Sequence, residues 1–354
     1  MKPILTLAAL AISTSILFGA QSPPKPNKPM QAVLDQLEKL GPKPLDTLTP
    51  EEARKQPSPA DAVKALLQSQ GKSTDPEPVA SVKNQTIKGP GGDIPIRIYT
   101  PKGDGPFPVI VYYHGGGWVI ADLDTYDSSP RALANAAQAV VVSSHYRQAP
   151  EHPFPASHDD AFAAYKWVRD NARSFNGDAN RIAVAGESAG GNLAAAVCIM
   201  AREQNVPLPV HQALIYPVAG TDMNTPSYRE NANAKPLNKA GMEWFAKHEF
   251  KNPQDKQDPR INLVRAPVSK NSPPCTIITA EIDPLRSEGK MLGEHWQQAG
   301  VKVNYKNYEG VAHEFFGMGA VLPEAKDATK VVAADLKKSF SAAKRNPGRK
   351  KQGE

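Results

Sequence analysis

The stretch Gly186-Glu187-Ser188-Ala189-Gly190 follows a short apolar segment, Arg181 to Ala185, and opens an Ala-rich one, Gly190 to Arg202. An apolar strand running into this pentapeptide and then into a helix forms a sharp turn. Its two glycines leave room for no side chain, and its serine is thrust outward. A plain Gly-rich turn with a capping serine would not need a strand before it and a helix after it. A serine hydroxyl is a weak nucleophile until a base takes its proton and a third group orients that base. On a strand–turn–helix of this kind the partners follow in the order serine, acid, histidine. Four histidines come after Ser188: His211, His248, His295 and His313. His211 immediately precedes a strand, at its wrong end for the site. His248 lies in a polar excursion and His295 in a surface helix. His313, in Asn307-Tyr308-Glu309-Gly310-Val311-Ala312-His313, follows the last strand and precedes the last helix. It is the expected base. For the acid, Thr276 to Gly289 offers Glu281 and Asp283. Asp283 lies just beyond its strand with room to reach the imidazole, and Glu281 is held in reserve.

A third element completes the chemistry. His114-Gly115-Gly116-Gly117-Trp118 follows another apolar strand. Consecutive glycines let backbone N–H groups converge on an oxyanion, and the Ala189 N–H at the helix start can join them. Such a hole serves the tetrahedral intermediate of acyl transfer. No Gly-rich loop ends in Lys-Ser/Thr, so a phosphate cradle is excluded. His114 is better placed to brace the glycine loop than to act as the base.

Several elements must hold these groups in register. Residues 85–101 read as two strands about a Gly-Pro-Gly-Gly-Asp turn, pairing antiparallel at a sheet edge. Apolar strands are expected at 108–114, 139–146, 181–185, 212–216, 275–280 and 301–305, with helices at 128–139, 156–171, 190–202, 284–299 and 325–340. Strands apolar on both faces, alternating with helices, predict a mostly parallel sheet covered on both sides. Alternation stops between Pro217 and Pro273, where only Leu237 to His248 looks helical. This excursion is expected over the carboxyl ends of the strands. Two amphipathic stretches, Met30 to Leu40 and Ser58 to Leu67, are expected to join it, because neither buries its apolar stripe alone.

Lys2, the apolar run Ile4 to Phe18 and the ending Gly19-Ala20 suit a secretory signal, with export favoured over a retained anchor. Residues 21–29 read as a tether and 344–354 as a basic flexible tail. The expected organisation is therefore a 1–20 signal, a 21–29 tether, cap helices in 30–80, and a catalytic domain in 81–343 with a cap insertion at about 218–262. A secreted or periplasmic location follows, with no stable membrane span once the signal is cut. The formal charge of +6 over 354 residues is too small and too dispersed for nucleic-acid binding. Cys198 and Cys275 are the only cysteines, too few for a Cys-rich metal site or a disulfide scaffold, and are expected as two separate core thiols.

Beyond the elbow and His114-Gly115-Gly116-Gly117-Trp118, the chain carries Tyr146-Arg147-Gln148-Ala149-Pro150-Glu151 with Pro153 and Pro155, and Asp283-Pro284-Leu285-Arg286. In these it closely resembles the hormone-sensitive-lipase-like family of α/β-hydrolases, especially its bacterial esterases, from about Met30 to Phe340. The resemblance implies the α/β-hydrolase fold: an eight-stranded, mostly parallel sheet with its second strand antiparallel, helices on both faces and a helical cap. It implies Ser188, Asp283 and His313 as the triad and the N–H groups of Gly116, Gly117 and Ala189 as the oxyanion hole. It also implies no cofactor and no metal, and a small-molecule ester of short or medium acyl chain as substrate. The chain departs from the family pattern at Glu187, where one large branch has Asp, at Ser287, where Asp is usual, and at Glu314, where Gly is frequent. The first and last of these add negative charge near the site. Amidase, arylamidase or lactonase activity on the same triad is the first alternative, and a non-enzymatic small-ligand binder is the second. A monomer or homodimer is expected.

Overall fold

The computed structural model describes residues 24–345. The signal segment, the first three residues of the tether and most of the basic tail lie outside the described residues. Eight strands form one sheet: β1 (Ser81–Gly89), β2 (Gly92–Thr100), β3 (Phe107–Tyr113), β4 (Val140–Ser144), β5 (Gly177–Glu187), β6 (Gln212–Ile215), β7 (Cys275–Ile282) and β8 (Val303–Ala312). Their spatial order is β1-β2-β4-β3-β5-β6-β7-β8. Only β2 runs against its neighbours, pairing antiparallel with both β1 and β4. The early hairpin therefore forms the sheet edge, as its turn residues require.

Alternate residues of the central strands feed separate cores on the two faces. In β3, Val109, Val111 and Tyr113 point into one, while Ile110 and Tyr112 point into the other. In β5, Ile182 and Val184 join the first, Ala183 and Ala185 the second. Burial on both faces explains why these strands read as continuous apolar runs. Helices α5 (Ala156–Asn171), α6 (Ala189–Glu203) and α9 (Arg286–Gln298) contribute to the first core, and α4 (Ser128–Ala137) and α10 (Pro323–Arg345) to the second.

The amino-terminal segment supplies α1 (Lys28–Leu40), α2 (Pro50–Ala53) and α3 (Pro59–Ser69), and the 217–273 excursion supplies α7 (Pro226–Glu230) and α8 (Lys239–Glu249). Helix α1 starts two residues before the Met30 boundary of the expected tether, because Asn27 caps it by accepting the Met30 N–H at 3.0 Å. Its stripe of Met30, Val33, Leu34 and Leu37 is buried in one cluster with Ala62, Val63, Leu66 and Leu67 of α3. The excursion meets the amino-terminal segment where the Trp244 indole N–H donates to the Leu48 carbonyl at 2.9 Å. Arg54 then reaches the carbonyls of Val119 and Ala149 and the Glu151 carboxylate, tying that segment to the glycine loop and the Tyr146–Glu151 motif.

Most element boundaries shift by a few residues from the sequence reading, and four differences bear on the expected organisation. Strand β8 runs on to Ala312, so most of the expected loop before His313 is strand. Strand β5 begins at Gly177 and not at Arg181. Helix α10 runs from Pro323 to Arg345, so the first two residues assigned to the flexible tail, Lys344 and Arg345, are helical. Helix α2 falls between the two amphipathic stretches, where no helix was expected, and a capping box between Thr49 and Glu52 starts it.

Candidate active site

The site is assembled at the carboxyl ends of β3, β5, β7 and β8. Ser188 occupies the turn between β5 and α6 with φ +57° and ψ −119°, a conformation that a non-glycine residue holds only under constraint. The constraint is visible on both sides. The Ser188 N–H donates to the Ile215 carbonyl at 2.9 Å, and its carbonyl accepts from Val218 at 3.1 Å. A Cβ at Gly186 would sit 2.1 Å from the Gly190 carbonyl oxygen, and one at Gly190 would sit 2.0 Å from that of Tyr113. Both glycines are therefore steric requirements of the turn, since the obstacle in each case is backbone.

His313 follows β8 directly and Asp283 follows β7 directly, so neighbouring strands deliver an imidazole and a carboxylate side by side. His313 Nδ1 lies 2.7 Å from Asp283 Oδ2, and His313 Nε2 lies 3.0 Å from Ser188 Oγ. All three residues are buried. Asp283 Oδ1 accepts the Leu285 N–H at 2.8 Å, which fixes the carboxylate plane. With Nδ1–H directed at the carboxylate, Nε2 is free to accept the serine proton. Burial opposes charging of His313, but the charge and hydrogen bond of Asp283, with Glu314 and Glu187 beyond, raise its pKa above the ordinary imidazole value.

Glu281 does not reach the imidazole. Its carboxylate accepts the Gly310 N–H at 2.7 Å, closing the irregularity between β7 and β8. The other histidines also lie apart. His211 bonds Thr276 and Ser339, His295 bonds the Ala266 carbonyl, and His248 packs edge-on against Trp244. His114 braces the glycine loop: Nδ1 donates to the Gly115 carbonyl at 2.8 Å, and Nε2 accepts from His145 Nδ1 at 3.0 Å. Burial, aided by His145, pushes its pKa down to about 3, so it stays neutral.

Gly116 (φ +93°) and Gly117 (φ +57°) turn the loop in the left-handed region. The Gly116 carbonyl accepts from Val119 and Ile120, while neither glycine N–H has a backbone acceptor among the described residues. Ala189 is the first residue of α6, so its N–H has no acceptor within the helix. Phe245 of α8 lies over this loop, its ring carbon 2.2 Å from where a Cβ on Gly117 would stand. Trp118, buried beside it, packs edge-on to Phe250.

Two of the departures surround the imidazole. Glu187 is buried beneath the elbow and accepts the hydroxyls of Tyr112, at 2.5 Å, and of Tyr216. Burial, with Glu314 nearby, pushes its pKa up to about 7. The Tyr216 ring centroid lies 4.5 Å from that of His313. Glu314, at φ +73°, accepts the Tyr126 hydroxyl on both carboxylate oxygens at 2.6 and 2.7 Å. The third departure, Ser287, accepts the Ser227 N–H at 3.0 Å and so ties α7 to the start of α9. Tyr112, Tyr126 and Tyr216 were not singled out from the sequence. They come from three separate segments, and only Tyr112 lies beside a motif, two residues before His114.

Among the described residues, no group of three or more His, Cys, Asp or Glu side chains is placed to hold a metal ion. None of their helices is long and apolar enough to cross a membrane. Cys198 and Cys275 are buried free thiols, as the sequence led us to expect.

A strand–serine–helix elbow beside a buried acid–imidazole pair, on a sheet of this order, defines a serine hydrolase scaffold. Residues 110–317 match the family model described as alpha/beta hydrolase fold, and the chain belongs to that family, in its hormone-sensitive-lipase-like group. It is 41% identical over 276 residues to the carboxylesterase NlhH of Mycobacterium tuberculosis, covering 76% of this chain and 86% of that one. It is 33% identical over 297 residues to an ethyl acetate hydrolase of Pseudomonas putida, covering 83% and 91%. Among solved structures, a hyperthermophilic esterase from Pyrobaculum calidifontis is similar at 37% identity and a TM-score of 0.79, covering 90% of this chain and 99% of that one. The carboxylesterase EstE1, from a metagenomic library, is similar at 35% identity and a TM-score of 0.76, covering 83% and 98%.

Proposed function

We propose that the protein is a serine carboxylesterase acting on esters of short or medium acyl chain. Ser188 is the nucleophile, His313 the base and Asp283 its orienting acid, with the N–H groups of Gly116, Gly117 and Ala189 as the oxyanion hole. The observation that carries this reading is the buried relay Ser188 Oγ–His313 Nε2–Asp283, at 3.0 and 2.7 Å, beside glycine N–H groups with no backbone acceptor among the described residues. The carboxylesterase and ethyl acetate hydrolase relatives support the ester as substrate class.

In this mechanism the Ser188 oxygen attacks the ester carbonyl as its proton passes to His313 Nε2. The carbonyl oxygen becomes an oxyanion held by the three N–H groups, which lower the barrier most when the charge develops. Collapse breaks the bond to the alcohol, which takes the proton from Nε2. Water then repeats the sequence on the acyl-enzyme and frees the acid. Asp283 holds the tautomer throughout and stabilises the imidazolium.

The cap comprises residues 30–80 and about 218–262. Phe245 over Gly117 and the Trp244–Leu48 link close the space above the hole, which favours short acyl groups over insoluble triglyceride. Residues 1–20 act as an export signal, making the protein secreted or periplasmic, as a monomer or homodimer.

Turnover of p-nitrophenyl esters of increasing chain length, beside a matched anilide, tests the reading. Fastest hydrolysis of short to medium esters with little anilide cleavage is expected. A dominant anilide rate would reassign the enzyme as an amidase, and no turnover of any ester would remove the esterase reading.

A further inference from the structure

Glu314 stands at a backbone position that glycine would occupy at least cost, φ +73°. A side chain kept under backbone strain beside a reacting group points to a use for that side chain. The carboxylate is held where it is from one direction: the Tyr126 hydroxyl donates to both of its oxygens at 2.6 and 2.7 Å. Tyr126 is itself wedged against the glycine loop, since a Cβ on Gly115 would lie 2.3 Å from its hydroxyl oxygen. Glu314 Oε1 thereby lies 3.7 Å from His313 Nε2, the nitrogen that exchanges protons with Ser188.

That separation is too long for a hydrogen bond and suits two acceptors that share one water. A water about 2.8 Å from each atom would subtend an angle of about 80° between them, which its two O–H bonds can approach. We propose that Glu314 is a positioning residue for the hydrolytic water of deacylation. The inference rests on the serine esterase reading above. The water donates one O–H to His313 Nε2 and the other to Glu314 Oε1, leaving a lone pair for the acyl carbonyl. As the new C–O bond forms, the first proton passes to Nε2 and the carbonyl electrons move to the oxyanion. Collapse breaks the bond to Ser188 Oγ, which takes that proton from Nε2, and the carboxylic acid leaves. Acylation needs no such water. The leaving alkoxide meets Nε2 alone, so the two half-reactions depend on Glu314 unequally.

Stopped-flow release of p-nitrophenol from p-nitrophenyl butyrate separates the two steps in the parent, Glu314→Gln and Glu314→Gly. The glycine variant removes the carboxylate while relieving the strained backbone, so folding is not at risk. In Glu314→Gly the acylation rate is expected within roughly threefold of the parent, while deacylation slows by roughly tenfold or more and a burst near one equivalent appears. Glu314→Gln, whose amide oxygen can still accept from the water, is expected to keep much of the deacylation rate that the glycine variant loses. In Glu314→Gly, acylation and deacylation falling in parallel, or deacylation within roughly threefold of the parent, would overturn the inference while leaving the esterase reading intact. A parent without Ser188-dependent turnover would overturn the esterase reading, and this inference with it.

Discussion

Asp283 has two engaged oxygens, and that decides what its amide would do. Oδ2 faces His313 Nδ1 at 2.7 Å and Oδ1 accepts the Leu285 N–H at 2.8 Å, in a fully buried setting. Both partners are donors when the imidazole carries its proton on Nδ1. An asparagine has one acceptor and one donor end, so Asp283→Asn must set an N–H against an N–H on one side. If its NH2 group faces the imidazole, the proton moves to Nε2, and Nε2 can no longer accept from Ser188. If it faces Leu285, a buried backbone donor goes unpaired at a cost of about 1–3 kcal/mol. In either orientation the negative charge that stabilises the imidazolium is gone. The expected loss in kcat is roughly 10²–10⁴-fold, or about 2.7–5.4 kcal/mol of transition-state stabilisation. Glu281→Gln is the control. Its amide oxygen can still accept the Gly310 N–H, and nothing links it to the imidazole, so kcat should stay within about tenfold. Steady-state kinetics on a p-nitrophenyl ester, with circular dichroism to establish folding, make the comparison. A dead Glu281→Gln enzyme, or an Asp283→Asn enzyme keeping more than about a tenth of parental kcat, would refute this assignment of the acid.

Three further outcomes follow from the same geometry. Gly190→Ala should destabilise by more than about 3 kcal/mol or fail to fold, because its Cβ meets the Tyr113 carbonyl, whereas Gly220→Ala, with its nearest neighbour at 3.5 Å, should be close to neutral in thermal unfolding. Glu187 has a pKa raised from 4.5 to about 7, so between those values the folded state binds more protons than the unfolded one and stability falls as pH rises. The parent should accordingly lose up to about 3 kcal/mol relative to Glu187→Gln across that window, measured by denaturant unfolding at several pH values, and a parallel pair of curves would contradict it. Excess chelator should leave ester turnover unchanged, since no step of the mechanism passes through a metal, and restoration of lost activity by zinc or calcium would reveal a missing component.

The placement of the candidate groups was legible where it is local in the chain. The elbow, the glycine loop and the position of His313 after the last strand each depend on a few adjacent residues whose types admit few other uses. Asp283 was separable from Glu281 because one more pair of residues carries the chain off the strand. The extension of β8 to Ala312 was hidden because Lys306 to Gly310 mixes polar residues with a glycine, and edge pairing with β7 overrides that pattern. Helix α2 carried its signal in Thr49 and Glu52, but the four-residue helix is too short to show an apolar stripe, and prolines stand on both sides of it. The tyrosines about Glu187 and Glu314 were out of reach for a different reason. Tyr112 and Tyr216 meet Glu187 only because β3, β5 and β6 are adjacent with Tyr112 opposite Ala185 and Glu187 opposite Ile215, and register is a property of the folded sheet.

The identity of the nucleophile is the claim on which the rest depends. Incubation with a fluorophosphonate, digestion and mass spectrometry of the modified peptide tests it directly, beside Ser188→Ala. One equivalent of label on Ser188 is expected, none on the variant, and ester turnover in the variant lower by roughly 10³-fold or more with its fold unchanged. Label on another residue, or near-parental turnover in Ser188→Ala, would contradict it.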